Sequence, residues 1–105
     1  SQGGAMSLYT GCRFSERLAG MVCLSGYLLF PEKHMSECSD ANRDTPVLIC
    51  HGTRDDMVPF SAGQLSCEFL QENGWSVEFE QYMMFHEVCM SEIQRVDQFI
   101  AKVLD

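Results

Sequence analysis

The chain has 105 residues, enough for one small domain, and its 46% hydrophobic and 21% charged content is a globular balance that argues against disorder. Its formal net charge of −8 repels phosphate backbones and anionic headgroups, which argues against nucleic acid and against a polybasic membrane contact. No apolar run approaches the roughly 18–20 residues that span a bilayer, so no integral membrane segment is expected.

After Ser1, residues 2–13 carry Ala5, Met6, Leu8 and Tyr9 ahead of Gly11. Gly3 and Gly4 are poor helix formers, yet they suit a helix start pressed closely against a strand. Met21, Val22, Cys23 and Leu24 then form one continuous apolar run, as expected of a strand buried on both faces. Residues 31–45 are polar without period and are expected to be a long connection, either an excursion over a site or a mobile loop, with His34 solvated. Val47, Leu48, Ile49 and Cys50, bounded by Pro46 and Gly52, predict a second buried strand.

Residues 58–74 read as a helix, with Pro59 in its first turn, Leu65, Phe69 and Leu70 on one face, and Gly74 as the stop. Trp75, Val77 and Phe79 alternate with Ser76, Glu78 and Glu80, the pattern of a strand with one polar face near a sheet edge. In residues 91–105, Ile93, Val96, Phe99, Ile100, Val103 and Leu104 fall on one helical stripe. The order is helix, strand, loop, strand, helix, strand, helix, with no internal repeat. Alternating strands and helices imply an α/β fold of about three parallel strands with flanking helices. A leading helix with no strand before it is the pattern of the back portion of such a domain.

The six cysteines have irregular spacing and no C-x-x-C pair. They read as free thiols in a reducing compartment, since the apolar content can build a core without staples. Cys50-His51 and His86-x-x-Cys89 could in principle supply four zinc ligands. Closed zinc sites usually draw on C-x-x-C knuckles, so no metal is expected.

In open α/β sheets, reactive side chains gather at the carboxyl ends of the strands. Three polar stretches lie there: Ser1-Gln2-Gly3-Gly4, then residues 51–59 with Asp55 and its rival Asp56, then residues 83–89 with His86. A serine, an acid and a histidine are the parts of a nucleophilic site, and the order Ser, Asp, His accompanies the nucleophile elbow of a hydrolase sheet. His51, at a strand end before Gly52, reads as structural and hydrogen-bonded to a neighbouring loop. Met83, Met84 and Phe85 read as core or as the lining of an apolar channel beside His86, and Leu28, Leu29 and Phe30 likewise.

The segments SQGGAMSLY, LAGMVCLSGYL, TPVLICHGTRDDMVP and HEVCMSEIQRVDQFI, in this order, resemble the second half of the acyl-protein thioesterase/carboxylesterase family of small cytosolic α/β-hydrolases, relatives of lysophospholipases. The likeness covers nearly the whole chain and is weakest in residues 31–45. It implies a partial α/β-hydrolase fold, residues 1–105 being the C-terminal portion of a single domain. Ser1, Gln2 and Gly3 match the end of the family's Gly-Phe-Ser-Gln-Gly-Gly elbow, which makes Ser1 the nucleophile and the Gln2 N–H an oxyanion donor. His51, Gly52, Asp55, Val58 and Pro59 match a second motif that makes Asp55 the acid. His86, Glu87, Val88 and Cys89 match a third that makes His86 the base. The chain departs from the family in carrying Phe85 where Gly usually precedes the histidine, Met83 and Met90 where Pro is common, and Thr53 for a frequent Asp.

The resemblance thus implies a cytoplasmic serine hydrolase of carboxylic esters or thioesters, acting on acylated proteins or lipid esters without a cofactor. The 105-residue chain alone, lacking the elbow's strand and the second oxyanion donor, is expected to be nearly inactive and poorly soluble. Two other readings stand beside this one. One is a non-catalytic α/β module that binds an acyl chain or a partner, which Phe85 favours. The other is an N-terminal-nucleophile hydrolase that uses the amine of Ser1 as base.

Overall fold

The structure, a computed structural model, describes residues 1–105. Helix α1 (Gln2–Arg13) opens the chain and leads to strand β1 (Met21–Leu24). Helix α2 (Pro31–Glu37) and a 3-10 turn (Asp40–Asn42) precede β2 (Val47–Gly52), and then come α3 (Phe60–Glu72), β3 (Val77–Tyr82) and α4 (Met90–Leu104). The strands form one parallel sheet in the order β1-β2-β3, with Met21 opposite Val47 and Val47 opposite Val77. The central strand β2 is buried along its whole length, as its unbroken apolar run requires.

Two cores sandwich the sheet. On one face, Leu8 and Cys12 of α1 and Cys67 and Leu70 of α3 pack against Met21, Cys23, Val47 and Ile49. On the other, Phe99 of α4 packs against Leu48 and Cys50. Of the two glycines at the helix start, Gly4 makes the expected close approach, a β-carbon there sitting 2.9 Å from Cys23 Sγ, while Gly3 has open space around it; Gly11 approaches Met21 further along.

The polar face of β3 is covered by α4. Glu78 and Glu80 point toward Arg95, whose guanidinium reaches them at 2.7 and 3.2 Å, and Lys102 Nζ lies 2.9 Å from Glu78. The Lys102 hydrogen bond, together with Arg95, holds the Glu78 carboxyl below its ordinary range despite some desolvation. Such pairs are worth about 0–1 kcal/mol each, so they set the docking of α4 more than its stability.

Residues 31–45 are structured, contrary to the expectation of a long loop. Pro31 starts α2, and His34 is fully buried, its ring edge-on to Phe69 and Trp75 at 5.7 and 5.0 Å. Burial, and then the charges of Arg13 and Arg43, push its pKa down, so His34 is a neutral packing residue and not a solvated one. Asn42 explains why a polar segment can be interior. Its Oδ1 accepts from Leu18 N (2.7 Å) and Thr45 Oγ1 (2.8 Å), and its Nδ2 donates to Phe14 O and Glu16 O (3.0 and 2.9 Å). Its carbonyl accepts the indole N–H of Trp75 at 3.0 Å. Satisfied polar groups can be buried, and these tie the α1–β1 connection to the sheet.

Two helical stripes differ from the sequence reading. In α3 the buried residues are Gly63, Ser66, Cys67 and Leu70, while Leu65 is exposed. In α4 Phe99 is buried with Glu92, while Ile93, Ile100 and Leu104 are exposed. Helix α3 ends at Glu72, and Gly74 takes a φ of 98°, as expected of the stop.

Candidate active site

The strands β2 and β3 run side by side, with Gly52 opposite Tyr82 where both end. The two loops that leave them are laced by their backbones. Thr53 N donates to Tyr82 O (2.8 Å) and Arg54 N to Met84 O (3.0 Å). A side chain at Gly52 would run into the Met84 carbonyl, so only glycine lets these loops close on one another. Their closure brings Asp55 and His86 together, 31 residues apart in sequence, with Nδ1 of His86 2.7 Å from Oδ2 of Asp55.

The geometry fixes the chemistry of this pair. An ionised carboxylate only accepts hydrogen bonds, so His86 Nδ1–H donates, and in the neutral ring Nε2 keeps its lone pair. The Asp55 side chain is fully buried and that of His86 is 18% exposed, so the base has access to solvent while its acid does not. The other carboxylate oxygen, Oδ1, accepts the N–H groups of Met57 (2.9 Å) and Val58 (2.8 Å), which closes the loop as an Asx turn. Burial alone would raise the Asp55 pKa. The Val58 N–H, the His86 bond and the Met57 N–H outweigh it and hold the carboxyl below its ordinary range. Asp56 is exposed, so Asp55 is the acid joined to the histidine.

His51 is buried at the end of β2, where its Nε2–H donates to Val58 O at 2.8 Å, the loop contact expected of it. Ser1 lies at the exit of β1, on the same edge of the sheet. Its ammonium reaches Leu24 O at 3.4 Å and its carbonyl accepts Ala5 N at 3.0 Å. It is the N-cap of α1, yet its hydroxyl makes no capping bond. The N–H groups of Gln2, Gly3 and Gly4 precede the first bond of α1, so they are open donors at the positive end of a helix. The structure therefore joins Asp55 to His86 and sets Ser1 and Gln2 on the neighbouring strand end, with no hydrogen bond from Ser1 to His86.

Phe85 fits beside the base without a left-handed backbone; its N–H donates to Glu87 Oε2 at 3.0 Å. Met84 turns inward to the core, while Met57, Met83, Phe85 and Val88 stay exposed on the two loops. A cavity of about 480 Å³ runs beside α3, lined by Leu28, Tyr27, Leu65 and Phe69 among others. It does not include Asp55, His86 or Ser1, so the loop residues weigh more than the cavity in locating chemistry.

The cysteine–histidine set considered for zinc is not drawn together, and no group of His, Cys, Asp and Glu is arranged to hold a metal ion. All six cysteines are unpaired. Desolvation pushes the Cys50 thiol up to about 12, with the nearby charge of Glu92 adding to the effect, so it is a packing residue and a poor thiolate ligand. Glu92 itself escaped the sequence reading. It is fully buried, its carboxylate oxygens have no partner, and desolvation raises its pKa. A glutamate one turn into a helix usually faces water, so the sequence carried no signal for it.

The phospholipase/carboxylesterase family model matches residues 1–104. Acyl-protein thioesterase 1 of Gibberella zeae is 40% identical over 99% of this chain and 46% of its own length. The crystal structure of SOBER1 from Arabidopsis thaliana superposes with a TM-score of 0.94 at 35% identity, covering 100% of this chain and 50% of that one. The crystal structure of Zea mays acyl-protein thioesterase 2 gives a TM-score of 0.91 at 29% identity, covering 100% and 54%. The chain belongs to the phospholipase/carboxylesterase family and has the α/β-hydrolase fold of these neighbours. It spans about half the length of the relatives it matches.

Proposed function

We propose that the protein carrying this chain is a serine hydrolase of carboxylic esters or thioesters, with long-chain acyl groups on proteins or lysophospholipids as its substrates. The observation that carries this reading is the 2.7 Å bond between His86 Nδ1 and Asp55 Oδ2, buried on the acid side and open on the base side. The names of the relatives, acyl-protein thioesterase and carboxylesterase, support the substrate class. The exposed Met57, Met83, Phe85 and Val88 suit an acyl chain lying across the two loops.

In this mechanism Ser1 Oγ attacks the acyl carbonyl while His86 Nε2 takes its proton. Asp55 holds the imidazolium that forms, and the Gln2 N–H, at the positive end of α1, stabilises the oxyanion. His86 then returns the proton to the departing thiolate or alkoxide, leaving acyl-Ser1. Water attacks the acyl-enzyme, again giving a proton to His86, which passes it to Ser1 Oγ as the acid leaves, so that serine and neutral imidazole are both restored. Side chains, backbone and water suffice for every step. No helix is long and apolar enough to cross a membrane; a cytoplasmic location is part of this proposal.

The test is covalent labelling with a fluorophosphonate probe. The expected adduct is on Ser1, lost in Ser1→Ala and slowed at least a thousandfold in His86→Ala. An adduct elsewhere, or none, overturns the reading. The exposed Phe85 favours a second reading, a module that binds acyl chains without cleaving them; tight acyl-ligand binding with no labelling supports it.

A further inference from the structure

Asp55 touches two histidines. Beyond His86, the Nε2 of His51 lies 3.4 Å from the same oxygen, Oδ2, and both side chains are fully buried. That nitrogen is also 2.8 Å from Val58 O, a carbonyl that can only accept, so Nε2 carries the hydrogen and His51 is in a defined tautomer. The hydrogen bond goes to Val58 O; Oδ2 lies alongside, close enough to feel the ring but outside the direction of its N–H. Val58 N in turn donates to Asp55 Oδ1 at 2.8 Å. These contacts close a ring from the strand end, through Val58, to both oxygens of the acid.

The surroundings hold the ring of His51 in this pose. Helix α3 passes close, and a β-carbon at Gly63 would come 2.6 Å from Nδ1 and 3.1 Å from Cγ. Phe60 meets the ring edge-on at 6.0 Å. Nδ1 is buried without a partner, which costs free energy that a phenyl ring in the same space would avoid. The nitrogen that does work is Nε2, and its work is done on the Asp55 loop. His86 sits on a loop, whereas His51 belongs to the central, fully buried strand, so it is the rigid end of the chain His51–Asp55–His86.

We infer that His51 is a positioning residue, whose Nε2–H anchors the Val58 carbonyl and through Val58 sets the angle at which Asp55 meets His86. This rests on the proposed roles of Asp55 and His86. Without the N–H, the Val58 carbonyl loses its anchor, the turn that Val58 N closes on Asp55 Oδ1 loosens, and Oδ2 is no longer held at one angle. His86 then samples orientations in which Nε2 misses the nucleophile, which lowers turnover and leaves substrate binding alone.

The experiment is made on the full-length protein with His51→Phe, His51→Gln and Gly63→Ala, each with its melting temperature measured as a folding control. His51→Phe is expected to lower kcat about 10–100-fold with KM within about twofold, the range for loss of an outer-shell partner or a shift near 1 Å. His51→Gln, which can restore an N–H toward Val58 O, is expected to recover most of that loss. Gly63→Ala displaces the ring without altering its chemistry and is expected to give a smaller fall of the same kind. In nitrogen-15 histidine-labelled protein, the His86 Nδ1 proton bonded to Asp55 should give a resolved signal in wild type that broadens or vanishes in His51→Phe, a readout that a purely structural role would leave in place. A folded His51→Phe protein with wild-type kcat and an unmoved His86 proton overturns the inference. Asp55→Asn and His86→Ala run in parallel: if they retain activity, the catalytic reading has failed and the inference goes with it. If they abolish it while His51→Phe is silent, only the role of His51 has failed.

Discussion

Replacing Asp55 with Asn keeps the shape of the acid and turns one of its two ends from an acceptor into a donor. The end at Oδ1 receives the N–H groups of Met57 and Val58, so an amide NH₂ there would meet two donors. The amide oxygen must therefore stay at that end, and the NH₂ must face His86. Its hydrogens then point at Nδ1, which can accept only if the ring proton moves to Nε2. A His86 protonated at Nε2 cannot take a proton from Ser1. The predicted fall in kcat is about 10,000-fold, the scale known for a triad histidine held in the wrong tautomer, or about 5 kcal/mol of transition-state stabilisation. The assay is hydrolysis of p-nitrophenyl acyl esters and of a thioester by the full-length protein, with KM measured alongside kcat. Folding should survive, because both Asx-turn bonds are kept. A folded Asp55→Asn protein within about tenfold of wild type would refute the reasoning, since it would mean that the tautomer of His86 does not matter.

Two further outcomes follow from buried polar groups. Burial raises the Glu92 pKa, so the folded state favours its neutral form; its contribution to stability is greatest below the unfolded carboxylate range and falls as pH rises through the folded pKa. Glu92→Gln cannot ionise, and its melting temperature should exceed that of wild type by more at pH 7.5 than at pH 4; equal curves at both pH values would count against a desolvated carboxylate. Asn42→Ala removes the partner of Leu18 N, Thr45 Oγ1, Phe14 O and Glu16 O, and should cost about 3 kcal/mol in urea unfolding, with Trp75 emission shifting to the red as its cover loosens.

The parts of this protein that could be read from the chain are those governed by local rules. The runs 21–24 and 47–50 are apolar on both faces, and only a strand between two layers of helices satisfies them. The Asp55 stretch could be placed because it follows the run 47–50, and the His86 stretch because it follows the alternating strand 77–82. What could not be read depends on partners distant in sequence. Residues 31–45 look like loop because their polarity hides the reason for their burial, which is Asn42 bonding to residues 14, 16 and 18. The alternation of Glu78 and Glu80 gives the polar face of an edge strand, as β3 is, but not the partners of that face, Arg95 and Lys102 of the last helix. His51 could be recognised as structural from its place, but its contact with Asp55 depends on a turn that the Asp55 carboxylate itself builds.

The same distinction separates two halves of the candidate site. Acid and base are held by backbone bonds between adjacent loops, at Thr53–Tyr82 and Arg54–Met84, and by the close contact at Gly52. None of these involves Ser1. The Asp55–His86 unit is therefore held independently of Ser1, the proposed nucleophile, with the Nδ1 proton directed at Asp55. Ser1 contributes an uncapped hydroxyl and, through Gln2, a helix N-terminus with open donors. Preorganised dipoles and a fixed tautomer need no rearrangement when charge develops, which is why such arrangements are effective in acyl transfer. On the proposed mechanism, a loss of activity on perturbing either loop should thus appear in kcat, with the backbone of α1 and its open N–H groups unchanged.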